Sequence, residues 1–249
     1  MKHFLTLIFF VLVNAYAFSQ KTDSVTISGY VTDFNNNPLD SVTVKLMNKS
    51  FEDQYVTISD QAGYYEIIVA KGEYYCLYAL KISEWLKTRL EYWTWNVPAY
   101  NNMVINPKYN RLEIYGMNAF EPQIGPFDTY MVFFRPMSLT KILEYTNRTN
   151  KQNFEKNANL HKDTIDIAPN MITKEDLRVS INDCESEVVG INKVIEYTRG
   201  SYMYSYLIQI KKPAGLINSH NEYDKISIML NSNETNEQGF SECFVKKIK

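Results

Sequence analysis

The chain of 249 residues has little glycine, cysteine or histidine: 9 Gly, 3 Cys and 3 His. So few glycines do not suit a flexible linker. Three cysteines exclude a disulfide scaffold, and three histidines leave most metal-dependent mechanisms without ligands. An excess of charge of one sign is also missing. The 26 Lys and Arg against 28 Asp and Glu give a formal net charge of −2 and a pI near 6.0, which excludes an electrostatic grip on nucleic acid. After residue 20 no apolar run is long enough to cross a membrane as a helix. What is abundant is aromatic, with 19 Tyr, 13 Phe and 3 Trp, residues that suit strands. At 45% hydrophobic and 22% charged residues the chain is an ordinary globular one of one or two domains, not a disordered one.

Residues 1–20 read as an export signal. Lys2 gives a positive start, Phe4 to Val13 is an almost unbroken apolar run, and Ala15-Tyr16-Ala17 is a small-x-small cleavage pattern, with cleavage expected after Ala17. The expected mature chain is an exported protein of the periplasm or cell surface, without a transmembrane segment. In an oxidising compartment Cys184 and Cys243 are candidates for a disulfide. The alternative is that Cys76, Cys184 and Cys243 are all small buried hydrophobes.

Residues 23–82 read as a run of short strands. Val25, Ile27 and Val31 alternate with polar residues, Asp33 to Pro38 is a dense turn cluster, and Val42, Val44 and Leu46 alternate again. Asp60-Gln61-Ala62-Gly63 and Lys71-Gly72-Glu73 are further turns. The segments Ile27 to Asp33, Pro38-Leu39, Val42 to Leu46, Ser59 to Tyr65 and Lys71 to Tyr74 together resemble a carboxypeptidase regulatory-like domain of the Bacteroidetes type. The resemblance covers residues 25–80 and implies a transthyretin-like β-sandwich acting as an accessory docking module, with no catalytic residues to carry over. A zinc carboxypeptidase partner domain would need two His and a Glu. Past the signal only His161 and His220 remain, and neither stands in a His-x-x-Glu arrangement.

Residues 83–90, with Trp85, Leu86 and Leu90, are expected to be a connector. Residues 91–249 read as a second, larger antiparallel β-sandwich, immunoglobulin-like in the loose sense. Ser138 to Tyr145 is expected to be a short helix with Ser138 as N-cap, and 147–164 a mobile polar insert. Thr173 to Asp176 carries a capping pattern. Val188 to Thr198 and Tyr202 to Lys211 form a hairpin about Arg199-Gly200. Its second arm places Tyr202, Tyr204, Tyr206, Ile208 and Ile210 on one face.

The candidate ligand residues are Tyr92, Trp93 and Trp95 in Tyr92-Trp93-Thr94-Trp95-Asn96. Two Trp rings in line on one strand face either stack on sugar rings or pack into the core. Val97 at the same parity favours the core. Asp23-Ser24-Val25, Asp40-Ser41-Val42 and Asp163-Thr164-Ile165 resemble a Bacteroidetes O-glycosylation acceptor, which implies Ser24, Ser41 and Thr164 as modification sites. Neither a phosphate-binding loop nor a Gly-x-Ser-x-Gly elbow is present. The expectation is an all-β, exported, non-catalytic binding or structural protein without cofactor or metal, its partner a glycan or a surface protein. The alternatives are a glycan-binding module in polysaccharide capture that uses Trp93 and Trp95, and a small hydrolase with a carboxylate pair between the domains. Assembly through an open sheet edge is a third idea.

Overall fold

The computed structural model describes residues 23–123, 125, 128–155, 164–198, 201–214 and 222–247. The export signal, His161, Asp163, the Arg199-Gly200 turn and His220 lie outside the described residues.

The described residues are all-β apart from one α-helix. Alternating segments become β1 (Ser24–Tyr30), β2 (Thr43–Met47), β3 (Asp53–Ile58), β4 (Tyr64–Ala70), β5 (Gly72–Leu80), β6 (Tyr92–Ala99) and the short β7 (Met103–Val104). The turns between them form as their residue types require. Oδ1 of Asp60 accepts hydrogen bonds from the Ala62 and Tyr64 backbone N–H groups, both at 2.9 Å, an Asx turn that joins β3 to β4. Gly29 in β1 allows a close backbone approach, because a Cβ there would lie 1.9 Å from the Ile105 carbonyl oxygen.

The later strands are β8 (Leu112–Phe120), β9 (Thr129–Ser138), β10 (Thr164–Ile165), β11 (Leu177–Ile181), β12 (Cys184–Ser186), β13 (Val188–Thr198), β14 (Ser201–Lys211), β15 (Tyr223–Ser232) and β16 (Glu237–Lys246). The helix α1 (Leu139–Glu155) follows β9 directly. Ser138 caps it, its Oγ accepting from the Lys141 N–H at 3.2 Å. The Glu237 carboxylate accepts from the Thr140 N–H at 3.0 Å, a negative charge where the helix dipole favours one. The helix is longer than expected and takes in much of the segment read as a mobile insert. Thr146 and Thr149 donate their hydroxyls to the carbonyls of Ile142 and Tyr145, both at 2.8 Å, which satisfies these polar side chains on the helix itself. At Lys174–Asp176 a 3-10 turn forms, with the Asp176 carboxylate accepting from the Thr173 N–H at 2.8 Å.

The strands form three sheets. An eight-stranded sheet, in the order β12-β11-β15-β16-β6-β5-β2-β3, is the spine. The three-stranded sheet β4-β1-β7 covers one face of its β6-β5-β2-β3 portion. The five-stranded sheet of β10, β14, β9 and β8, with β13 on β14, packs on the opposite face. Adjacent residues of the spine strands therefore enter different cores. Leu46, Leu77 and Tyr92 belong to the first core, and Met47, Cys76 and Trp93 to the second, as strand geometry requires.

Two expectations are corrected here. The sandwiches do not follow one another as separate units. They share the spine, joined where β16 runs parallel to β6 at Glu242–Thr94 and Cys243–Trp95. The boundary does not fall at 83–90 either. β6 pairs with β5 along its length, and Tyr92, Val97, Ala99, Ile105 and Tyr109 all sit in the first core. Residues 83–90 are an excursion between two paired strands, closed by a Trp85–Arg89 bridge.

Candidate functional site

Trp93 and Trp95 are 6% and 3% exposed. Their rings stack at 5.2 Å between centroids with 16° between planes. Tyr115 meets both edge-on at 5.2 Å, and Phe51 meets both edge-on from the β2–β3 turn. The Trp93 indole N–H donates to Glu113 at 2.8 Å. Tyr92 is wholly buried and shares a 2.5 Å hydrogen bond with Thr94. No sugar can reach these faces, so the ligand platform proposed for Tyr92, Trp93 and Trp95 is not formed. The rings are core, and their burial stabilises the shared spine.

The parity argument from Val97 needs correction. Asn96 has φ +56° inside β6, a left-handed conformation that asparagine tolerates better than most residues. It breaks the alternation, so Trp95 enters one core and Val97 the other. It also marks where the spine opens. β6 and β16 pair only through Thr94–Glu242 and Trp95–Cys243. Beyond that point β6 presents Asn96 and then Pro98, which has no N–H to offer a ladder. β6 stays with β5 as far as Ala99–Gly72, while β16 stays with β15 as far as Lys246–Tyr223.

The fork between them holds a cleft of about 560 Å³, within the range of small-molecule sites, roughly 300–1,000 Å³. Tyr74, Tyr75, Phe120, Tyr223 and Phe244 supply its aromatic lining. Phe120 is 50% exposed. The Tyr223 hydroxyl donates to Glu73 at 2.6 Å, and Tyr100 stacks on the Tyr223 ring at 6.4 Å. Burial and the Glu73 carboxylate both push the Tyr223 phenol up, which keeps it a neutral donor. Glu121 is held by Lys212 at 2.5 Å. Lys246 lies over the Tyr223 ring at 5.7 Å, and Lys49 and Asn96 are exposed at the rim. Tyr75 links cleft to core, since its ring meets Trp95 edge-on at 5.5 Å. Single-residue reading missed this site because its residues come from both halves of the chain. The one local signal was an asparagine and a proline within one strand.

Two other hollows are polar or shallow. One of about 360 Å³ lies beside α1 and holds Glu144, Asp166 and Glu234, the last two bound to Lys141 at 3.4 and 3.5 Å. The other, about 520 Å³, lies on the open face of β11, β15 and β16 around Arg178 and Phe240. The described residues hold no cluster of His, Cys, Asp or Glu suited to a metal ion.

The hydrolase alternative needs two close carboxylates with shifted pKa values in a cleft. Burial pushes Glu91 up to about 7, and pushes Glu113 well up, with the Glu91 charge adding to it. Burial also raises Glu242, against the pull of Lys225. None of these three lines the hollows described above. The carboxylates of the fork cleft are occupied by Tyr223 and Lys212.

Cys184 and Cys243 are both free, the first exposed and the second buried. Cys184 faces Ile181, Ile181 faces Ile226, and Ile226 faces Cys243. Three steps between strands, at about 4.8 Å each, exceed the roughly 7 Å a disulfide can bridge. The candidate bridge is therefore not formed. Cys76 and Cys243 are core residues, as the alternative reading has it, but Cys184 is not.

Ser24 opens β1 and is exposed. Ser41 is exposed, with φ +56°, and its hydroxyl donates to Asp40 at 2.9 Å. Thr164 is half-buried and faces Tyr202 in β10. On the hairpin Tyr206, Ile208 and Ile210 are buried as expected, but Tyr202 is 43% exposed because the strand outruns the core. Among the described residues β13 has β14 as its only neighbour, and it exposes Ile195 and Tyr197.

No helix among the described residues is long and apolar enough to cross a membrane. No family model matches the chain, and no curated protein matches it. Among solved structures, a DUF3823 family protein from Parabacteroides merdae is similar at 11% identity, covering 91% of this chain and 100% of that one, with a TM-score of 0.29. The major pilin subunit BcpA of Bacillus cereus is similar at 13% identity over 90% of this chain and 69% of its own, with a TM-score of 0.27. The major pilin SpaD of Corynebacterium diphtheriae is similar at 10% identity over 88% and 64%, with a TM-score of 0.25. At such scores these neighbours carry no argument, and the β-sandwich fold rests on the sheets described above.

Proposed function

We propose that the chain is an exported, non-catalytic binding protein whose ligand site is the cleft in the forked spine. The observation that carries this reading is the hollow where β6 and β16 part, in which five aromatic rings stand among polar and charged side chains, the mixed lining of a ligand site. The apolar start of the sequence supports export to the periplasm or cell surface. The regulatory-like segment at 25–80 serves as a rigid docking module, building one wall through Glu73, Tyr74 and Tyr75. Ser24 and Ser41, both exposed, and Thr164 at the end of the polar segment are the proposed sites of O-glycosylation.

A thermal-shift screen of the exported protein against small molecules, repeated on a Phe120→Ala/Phe244→Ala variant, tests the site. A ligand should raise the melting temperature of the wild type and not of the variant. Equal shifts in both proteins, or chemical turnover of the ligand, would contradict the reading.

A second reading, assembly through a sheet edge, is favoured by β13, an open edge of 11 residues with Ile195 and Tyr197 exposed. Light scattering at rising concentration tests it. Growth in mass that an Ile195→Lys substitution abolishes supports it, and a constant monomer mass removes it.

A further inference from the structure

We infer that the fork cleft takes a neutral saccharide. This rests on the reading of the cleft as the ligand site and adds the ligand's class. Three observations on the cleft select that chemistry.

The first is the pairing of apolar and polar groups. Phe120 and Phe244 offer aromatic surface, and the C–H face of a sugar ring packs on such surface while its hydroxyls remain in the ring plane. Around the rings stand the Asn96 amide, the Lys49 and Lys246 ammonium groups and the Tyr223–Glu73 pair. These donors and acceptors match hydroxyls, which both give and accept hydrogen bonds. A plain acyl chain would make none of these hydrogen bonds.

The second is charge. The lining has two lysines, Lys49 and Lys246, and two glutamates, Glu73 and Glu121, with no excess of either sign. Such a balance neither attracts a polyanion nor repels a neutral ligand.

The third concerns the competing ligand, an extended peptide that would add as a strand in the fork. Strand addition needs a free row of backbone donors and acceptors. β6 offers Asn96 at φ +56° and Pro98 without an N–H, the devices that block such pairing. On the β6 side of the fork recognition therefore falls to side chains, which suits a saccharide.

Tyr75 bridges the cleft to Trp95 at 5.5 Å, so tryptophan emission reports on occupancy. The test is a fluorescence and calorimetric titration of the full mature chain with neutral hexasaccharides of glucose, xylose and mannose. A proline-rich peptide and a medium-chain fatty acid serve as rival probes. At least one hexasaccharide should bind, Phe120→Ala should weaken it at least tenfold with the melting temperature kept, and Phe120→Tyr should restore it. Failure of every hexasaccharide overturns the saccharide inference. Where a rival probe then binds and loses affinity in Phe120→Ala, the cleft reading still stands. A hexasaccharide that binds wild type and Phe120→Ala equally overturns the cleft reading as well.

Discussion

β6 carries two kinds of aromatic neighbourhood a few residues apart. On one side of Asn96, Trp93 and Trp95 are closed in by Tyr115, Phe51 and Tyr75. On the other, the strand parts from β16, and Phe120 and Phe244 line an open cleft with Tyr223. The residue types on the two sides are alike. What separates them is the backbone, where a left-handed asparagine and then a proline stop one ladder and leave a fork. Aromatic content alone did not mark the proposed ligand site; the end of a sheet ladder is what opens the cleft.

The largest break in that comparison comes from truncating its closed side. Trp95→Ala is expected to cost about 3–5 kcal/mol, the range for emptying a large aromatic site in a core. Phe120→Ala should cost less than about 1 kcal/mol because its ring is half in solvent. Urea unfolding of both variants checks the contrast, and comparable losses would mean that the cleft is as structural as the core.

Next in size is a dependence on pH. Glu91, pushed up to about 7 from 4.5, and Glu113, pushed well up, favour their protonated forms in the folded chain. A folded pKa above the unfolded value means stability that is fully present below about pH 4.5 and lost as pH rises through about 7. At about 1.4 kcal/mol per pH unit, the Glu91 share is on the order of 3 kcal/mol. Unfolding measured from pH 4.5 to 8 should show this decline, and Glu113→Gln should remove the Glu113 share of it while the Glu91 share stays. A flat wild-type profile would contradict the buried pair.

Smaller again is the pivot itself. Asn96→Val forces a β-branched residue to φ +56° and should cost about 1–2 kcal/mol. Asn96→Gly should be close to neutral. Equal stability of the two variants would show that the left-handed turn is not what opens the spine.

The smallest expected effect is that of reductant. The three cysteines are free, so dithiothreitol should leave the melting temperature unchanged. A thiol reagent should label Cys184 in the native chain, and Cys76 and Cys243 only after unfolding, since burial pushes the Cys76 thiol up to about 12 and the Cys243 thiol well up. A reductant-sensitive melting temperature would contradict the strand order.

The strands and many of their turns were legible because period-2 alternation and turn chemistry are local. β1, β2, β4 and the β13–β14 hairpin follow from them. The shared spine was not, because the parallel joining of Cys243 to Trp95 pairs residues far apart in sequence, and no local pattern encodes such a partner. The helix was cut short for another reason. The polarity of 147–155 resembles a loop until Thr146, just before it, and Thr149 within it are seen donating back to helix carbonyls. The site fell between these cases. The sequence displayed its aromatics, but Trp93 and Trp95 are the conspicuous pair, and they are core. Phe120, Tyr223 and Phe244 gave no signal before the sheets brought them together.

Hydroxyl-radical footprinting, read residue by residue with and without the bound hexasaccharide, tests the central claim most directly. Phe120, Phe244 and Tyr223 should oxidise in the free protein and be protected by ligand, while Trp93 and Trp95 stay unreactive in both. Ligand protection of Trp93 or Trp95, with Phe120 unaffected, would contradict the account and return the binding face to the tryptophan pair.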